Sequence, residues 1–261
     1  MRQHYCSRVT IEGAYPLKHP WVASLRIIMK PINSQEDMYA DIVDAGIIPF
    51  FRNHIPGYSI EDLTPREHWF DGDELGPWDW KIYAVQSGNV AYGKFLLGGK
   101  AAFATAECFF HLMNWKRSLA EKGLDEAGER VMDFVRGNGS CSTGDVRRLL
   151  GIKKAAADAL LTRLEARTLL IIGDFERIYR GPDLHYSGWQ KASFCRPEDF
   201  FAESVSGNGG PFAAFEAFAG EKTERSLDPK CTPEESRAYL ASRIRRLAPS
   251  ASDRDIERLL G

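Results

Sequence analysis

The chain has 261 residues, of which 44% are hydrophobic and 27% charged, with a formal net charge of −2. That is apolar material for one large domain or two smaller ones, and the near-neutral balance excludes a globally basic nucleic-acid coat. No run of about 18 apolar residues occurs, which argues against a membrane-spanning helix, and the polar Met1–Thr10 lacks the apolar core of a signal peptide.

The five cysteines, Cys6, Cys108, Cys141, Cys195 and Cys231, are scattered and have no metal-ligand spacing. They read as reduced thiols of a cytoplasmic protein. No metal or cofactor is implied, because Gly207-Asn208-Gly209-Gly210 lacks the Lys-Ser/Thr of a phosphate loop. Asp71-Gly72-Asp73-Glu74 lacks the spacing of a calcium loop and reads as a surface turn.

In chain order, Trp21–Met29 fits either a strand or a short helix. Ser34 caps a helix over Gln35–Ala45, with Glu36 and Asp37 in its first turn and Gly46 as its stop. Ile47–Phe51 is a buried extended piece, and His54-Ile55-Pro56-Gly57 is a turn. Thr64-Pro65 opens a short helix carrying Glu67, His68, Trp69 and Phe70. Pro77 starts a helix through Gln86, at the position where proline is tolerated. Residues 35–80 hold eleven acids against Arg52 and Arg66, so this stretch should not lie along a phosphate backbone. Ala91–Leu97 and Lys100–Thr105 form two strands about Gly98-Gly99, and Ala106–Lys122 is an aromatic-rich helix.

The spacing from Leu124 to Phe194 predicts three helices and a hairpin. Asp125–Arg136 turns Ala127, Val131, Phe134 and Val135 inward. Ser142, three residues before Asp145, starts a second helix that Gly151 ends. Lys153–Arg167 turns Ala157, Leu160, Leu161 and Leu164 inward. Thr168–Ile172 and Tyr186–Phe194 are strands about a polar loop with Gly181-Pro182. Two helices joined tightly, with a hairpin behind, is a winged helix, an arrangement used for DNA binding, for protein interaction and as plain scaffold. After it come a short helix at Pro197–Phe201, a Gly/Ser-rich linker and two C-terminal helices, one opened by Thr232-Pro233. The fold class is therefore α+β: a mixed α/β region over 1–122, a winged helix over 123–203, a linker over 204–231 and C-terminal helices over 232–261.

Two groups of motifs carry a resemblance. One is His68-Trp69-Phe70, Pro77-Trp78-Asp79-Trp80, Ala91-Tyr92-Gly93-Lys94-Phe95 and Lys100-Ala101-Ala102-Phe103. The other is Leu160-Leu161-Thr162-Arg163-Leu164, Ile171-Ile172-Gly173-Asp174-Phe175 and Gly188-Trp189. Over roughly residues 37–205 the chain resembles the bacterial winged-helix proteins related to the AlkZ/YcaQ DNA glycosylases, with residues 1–33 and the C-terminal helices outside the match. The resemblance implies that fold and an affinity for DNA. The wider family excises alkylated bases, using a glutamine, one residue, then glutamine or aspartate. Gln35, Gln86 and Gln190 are read as lacking that partner, so catalysis is left open, and an enzyme here would be a glycosylase-like hydrolase.

The expected partner is double-stranded DNA, held through phosphates by Lys153, Lys154, Arg163, Arg177 and Arg180. Lysines at a helix N-terminus oppose the dipole, a cost that a bound phosphate relieves. Residues 140–195 hold nine Lys/Arg against six Asp/Glu, a modest excess. The outer face of the third helix carries Ala155, Ala159, Thr162 and Ala166, too few hydrogen-bonding groups for base readout. Weak sequence specificity follows, or packing of that face on another part of the chain. Trp78, Trp80 and Lys94 are candidates for a base or ligand pocket, and Asp79, Glu67 and His68 for acid–base chemistry. The competing reading makes both tryptophans core anchors, with Asp79 paired to Lys94 or Arg66, in a non-enzymatic regulator or protein-interaction module.

Overall fold

The computed structural model describes residues 30–70, 76–96, 98–120, 123–203 and 231–261. The readings of Trp21–Met29, of Asp71–Glu74 and of the linker up to residue 230 lie outside them. The first helix, α1 (Gln35–Ala45), is set by its ends: Ser34 Oγ accepts the Asp37 N–H, and Gly46 closes the helix at φ 78°. The chain then runs straight into β1 (Ile47–Pro49), an edge strand where a proline without an N–H is tolerated. Short helices α2 (Ile60–Leu63) and α3 (Glu67–Phe70) follow, then α4 (Pro77–Gln86) with proline in its first turn.

The Gly98-Gly99 hairpin is present with shorter strands than the sequence suggests. β2 (Val90–Gly93) pairs with β3 (Ala102–Thr105), from Val90↔Thr105 to Gly93↔Ala102. After α5 (Ala106–Ser118) come α6 (Glu126–Asn138), β4 (Ser140–Cys141), α7 (Thr143–Leu150) and α8 (Lys154–Ala166). Asp125 caps α6, and Ser142 with Asp145 forms a reciprocal capping box on α7. The hairpin strands then differ from expectation. β5 spans Ile171–Arg180 and β6 spans His185–Cys195, so the polar stretch expected as loop is mostly paired strand. Arg177 and Arg180 accordingly lie on β5 and not in a loop. The register shifts at Ile172/Asp174 and Arg177/Tyr179 explain why a strict alternation was hard to read there. α9 (Pro197–Glu203) and the C-terminal helices α10 (Pro233–Leu247) and α11 (Asp253–Leu260) complete the described elements.

The strands form one six-stranded antiparallel sheet in the order β1-β3-β2-β5-β6-β4. A backbone pairing of Tyr92 with Ile172 joins the first hairpin to the second, so the 1–122 and 123–203 stretches share the sheet. Alternate residues then enter two cores. Ile48, Tyr92, Phe103, Ile172 and Phe194 face α1, α4 and α6–α8. Ile47, Ala91, Ala102, Ala104 and Ile171 face α5, α10 and α11.

Glu165 of α8 is the one acid sealed into this architecture, 1% exposed among the described residues. Its Oε1 accepts the Lys94 N–H at 3.1 Å. Gly93 leaves room for it, since a Cβ there would sit 2.9 Å from the same oxygen. Burial pushes the carboxyl from 4.5 up to about 7, against the Lys94 N–H and charge, which favour the anion. The folded-state pKa lies above the unfolded one. The stability contributed is therefore full below pH 4.5 and is lost as pH rises through about 7. Thermal melts across pH 5–8 should show Glu165→Gln flatter than the parent. The variant should be the more stable above neutrality, by roughly 2–3 kcal/mol. Equal pH slopes would show that Glu165 is not the neutral buried acid described.

Candidate nucleic-acid interface

The α4 start is forced by space. Gly76 precedes it at φ 49°, and a Cβ there would meet the His68 carbonyl oxygen at 1.8 Å. This close approach fixes how Trp78, Asp79 and Trp80 enter the first turn. Asp79 sits where a carboxylate suits the helix dipole and reaches the underside of the β5–β6 hairpin. Arg177 grips it with two parallel bonds, Nε to Oδ1 at 3.1 Å and Nη2 to Oδ2 at 2.9 Å. The Tyr186 hydroxyl donates to Oδ1 at 3.1 Å. Gln190 Nε2 donates to the Tyr186 hydroxyl at 2.8 Å and to the Trp78 carbonyl at 2.9 Å. A carbonyl only accepts, so this contact fixes the orientation of the Gln190 amide. Its Oε1 is then left buried without a hydrogen-bond partner. Asp79 holds the Arg177 guanidinium above its ordinary pKa, and burial raises the Tyr186 phenol.

Beyond this clamp the hairpin pairs with no other strand among the described residues. β2 meets β5 only at Ile172, and β4 meets β6 only at Phe194 and Cys195, so the outer residues pair only with each other. The outer half exposes Tyr179 (54%), Leu184 (70%) and Trp189 (58%). The Arg180 guanidinium lies 5.2 Å from the Trp189 ring centroid. Leu184 holds φ 48° in the turn, a left-handed conformation that costs a non-glycine residue about 1 kcal/mol.

The structure brings only part of the predicted constellation together. Asp79 pairs with Arg177, and neither Lys94 nor Arg66 is its partner. Lys94 does not join the tryptophans; its Nζ bonds Thr162 Oγ1 at 3.2 Å on α8. Trp78 edges against Phe50, Phe51 and Trp69 while 40% exposed. Trp80 is half-buried against His68, whose Nε2 contacts Asn33 Oδ1 at 3.3 Å, and Glu67 is exposed, so Glu67 and His68 make no acid–base pair. Sequence reasoning missed Lys81. Its Nζ lies between the Trp78 and Phe175 rings at 5.0 and 4.9 Å, and burial pulls its pKa down to about 8. Its position one turn after Pro77 gave no sign of this.

Three of the five predicted phosphate cations are already paired: Lys154 with Asp158, Arg163 with Asp125, and Arg177 with Asp79. Lys153 occupies the N-cap position of α8, which has no side-chain cap and no acid in its first turn. Ala155 and Ala159 are exposed, while Thr162 packs against the β2–β3 connection, so only the C-terminal half of that face is covered.

Gln35-Glu36-Asp37 does satisfy the glutamine, one residue, aspartate spacing, which corrects the reading of Gln35 as lacking its partner. All three side chains serve the α1 start: Asp37 Oδ2 accepts the Asn33 N–H at 3.2 Å, and Gln35 bonds Glu36 at 2.9 Å. Among the described residues no group of three or more His, Cys, Asp or Glu is placed to hold a metal, and no helix is long and apolar enough to cross a membrane.

Fold and site define an α+β protein whose sheet carries a projecting basic and aromatic hairpin clamped by a helix. The AlkZ-related family matches the chain over residues 32–261, and the chain belongs to that family. The match includes α10 and α11, which the sequence reading had placed outside the resemblance. No curated protein and no solved structure matches the chain.

The Asp79–Arg177 pair is about one-third exposed, so its worth is discounted for solvent. Asp79→Ala and Arg177→Ala should each lower stability in urea, and the double variant should recover a coupling of about 1 kcal/mol. Strict additivity would show that the clamp contributes nothing.

Proposed function

We propose that the protein binds double-stranded DNA with little sequence preference, in a repair-related role on distorted or alkylated duplex. The observation that carries this reading is the hairpin tip. A cation beside exposed, strained and apolar side chains suits a groove, where Arg180 meets phosphates or the minor-groove potential and Leu184 or Trp189 wedges between base steps. Membership of the AlkZ-related family supports it. The element order from α6 to β6, with β4 paired to β6, fits the winged-helix reading and supports the proposal as well. Lys153 at the uncapped α8 N-terminus supplies a second phosphate contact.

The clamp sets the limits of the chemistry. Both Asp79 oxygens are engaged, so it is a structural anion and not a free base. The pairing of Lys154, Arg163 and Arg177 with acids favours the competing protein-interaction reading and keeps the expected number of phosphate contacts small.

Fluorescence anisotropy of a 20-mer duplex, intact and with one abasic site, should show affinity falling with salt. A slope of about −2 to −3 is expected for two or three phosphates. Arg180→Ala should reduce the slope by about one. Trp189→Ala should remove most of the preference for the abasic duplex. Absence of binding even at low salt would overturn the proposal in favour of a protein partner.

A further inference from the structure

A cavity of about 400 Å³ opens at the β1–β3 edge of the sheet. Three separate elements build it. Pro49, Arg52, Asn53 and His54 come from the turn after β1, Leu96, Gly98 and Lys100 from the β2–β3 connection, and Arg258 and Leu259 from α11. Three permanent cations line it, and among the described residues no carboxylate does. The floor of Pro49, Leu96 and Leu259 is apolar. This volume falls within the usual range of small-molecule sites.

The lining is built to hold its shape. Asn53 is held in place, donating to the Tyr58 carbonyl at 2.7 Å and accepting the Ile55 N–H at 2.8 Å. Lys100 Nζ donates to the Arg52 carbonyl, which ties the two loops together and leaves two further donors. His54 Nε2 lies 2.8 Å from the Asp255 carbonyl, so that nitrogen carries a proton and the ring is oriented by α11. Arg52 is partly neutralised from outside the lining, by Asp62 at 3.0 Å and Glu61 at 3.9 Å. Arg258 makes no hydrogen bond or ion pair among the described residues and feels Asp255 only through space.

We infer that this cavity is a binding site for a terminal phosphate group on a nucleotide-sized ligand. Three cations around one cavity repel one another, and a compact dianion removes that repulsion while the apolar lining residues accept an attached ring or sugar. The site is separate from the hairpin interface. β1 stands three to four strands from β5 and β6, roughly 15–20 Å away. It therefore does not depend on the proposed duplex binding.

Isothermal titration of the full chain with inorganic phosphate, with AMP and with a 5′-phosphorylated 10-mer single strand tests it. Saturable binding of AMP or of the phosphorylated strand is expected. It should weaken at least tenfold in Arg258→Ala and be lost in Arg258→Glu, a surface change that should leave the melting temperature in place. Tighter binding of the strand than of AMP would identify a DNA end as the source of the phosphate, and the reverse a free nucleotide. No saturable heat with any of the three up to about 10 mM, or binding unchanged in Arg258→Glu, would overturn the inference. Duplex anisotropy with the Trp189→Ala variant reads the other interface independently.

Discussion

The pairing of Tyr92 with Ile172 holds the two halves of this molecule in one sheet. Each half alone carries three strands and leaves an edge of its ribbon unpaired at β2 or β5. Once joined, the sheet has two faces to bury, and outside the exposed half of the β5–β6 hairpin both are buried. The buried residues of β1, β2 and β3 must then suit one of two helical layers. This is why Val90–Gly93 is apolar at every position and does not alternate with polar residues. The same constraint fixes the C-terminal helices. α10 and α11 are the cover of the second face, through Leu240, Ile244, Ile256 and Leu260. Arg243 and Arg246 tie α10 to the Asp44 end of α1.

What was legible in the sequence follows from where the energy is local. Ser34, Ser142 with Asp145, and Thr232 with Glu235 announce their helices because each cap is completed within three residues. The hairpin about Gly98-Gly99 is legible for the same reason. The length of β5 and β6 is not. Glu176, Arg177 and Lys191 are ordinary loop composition, and only the cross-strand pairing of Glu176 with Lys191 at 3.2 Å and the register shifts make them strand. At the site, composition identified Asp79 and Arg177 separately. Their bond crosses 98 positions, and no periodicity encodes a contact of that kind.

Charge in this protein is spent mainly on itself. Most arginines of residues 123–203 have carboxylate or carbonyl partners, as Arg130 does with Leu149 and Arg148 with Asp145. A net charge of −2 therefore understates how little positive surface is free. Two cations without an acid partner among the described residues, Arg180 and Arg258, have different companions. Arg180 has exposed aromatic and aliphatic side chains and no wall around it. Arg258 has a walled cavity with an apolar floor. An open, convex cation suits an extended polyanion, which brings its own shape. An enclosed one suits a discrete anion, whose hydration shell must be replaced by fixed donors.

The strain at the tip and the rigidity of the base belong together. A hairpin that stands free of the sheet would sample many orientations, and a wedge that must first be ordered loses affinity in proportion. The Asp79 carboxylate removes that freedom by holding Arg177 at two points and Tyr186 at a third, close to where the free ribbon begins. Leu184 can then be kept exposed and left-handed at the far end, because the strain is local and the ribbon below it cannot relax by twisting away. Gly76, by admitting α4 hard against the His68 carbonyl, is what brings Asp79 within reach. The position of the exposed tip is in this way determined by a glycine at the other end of the site.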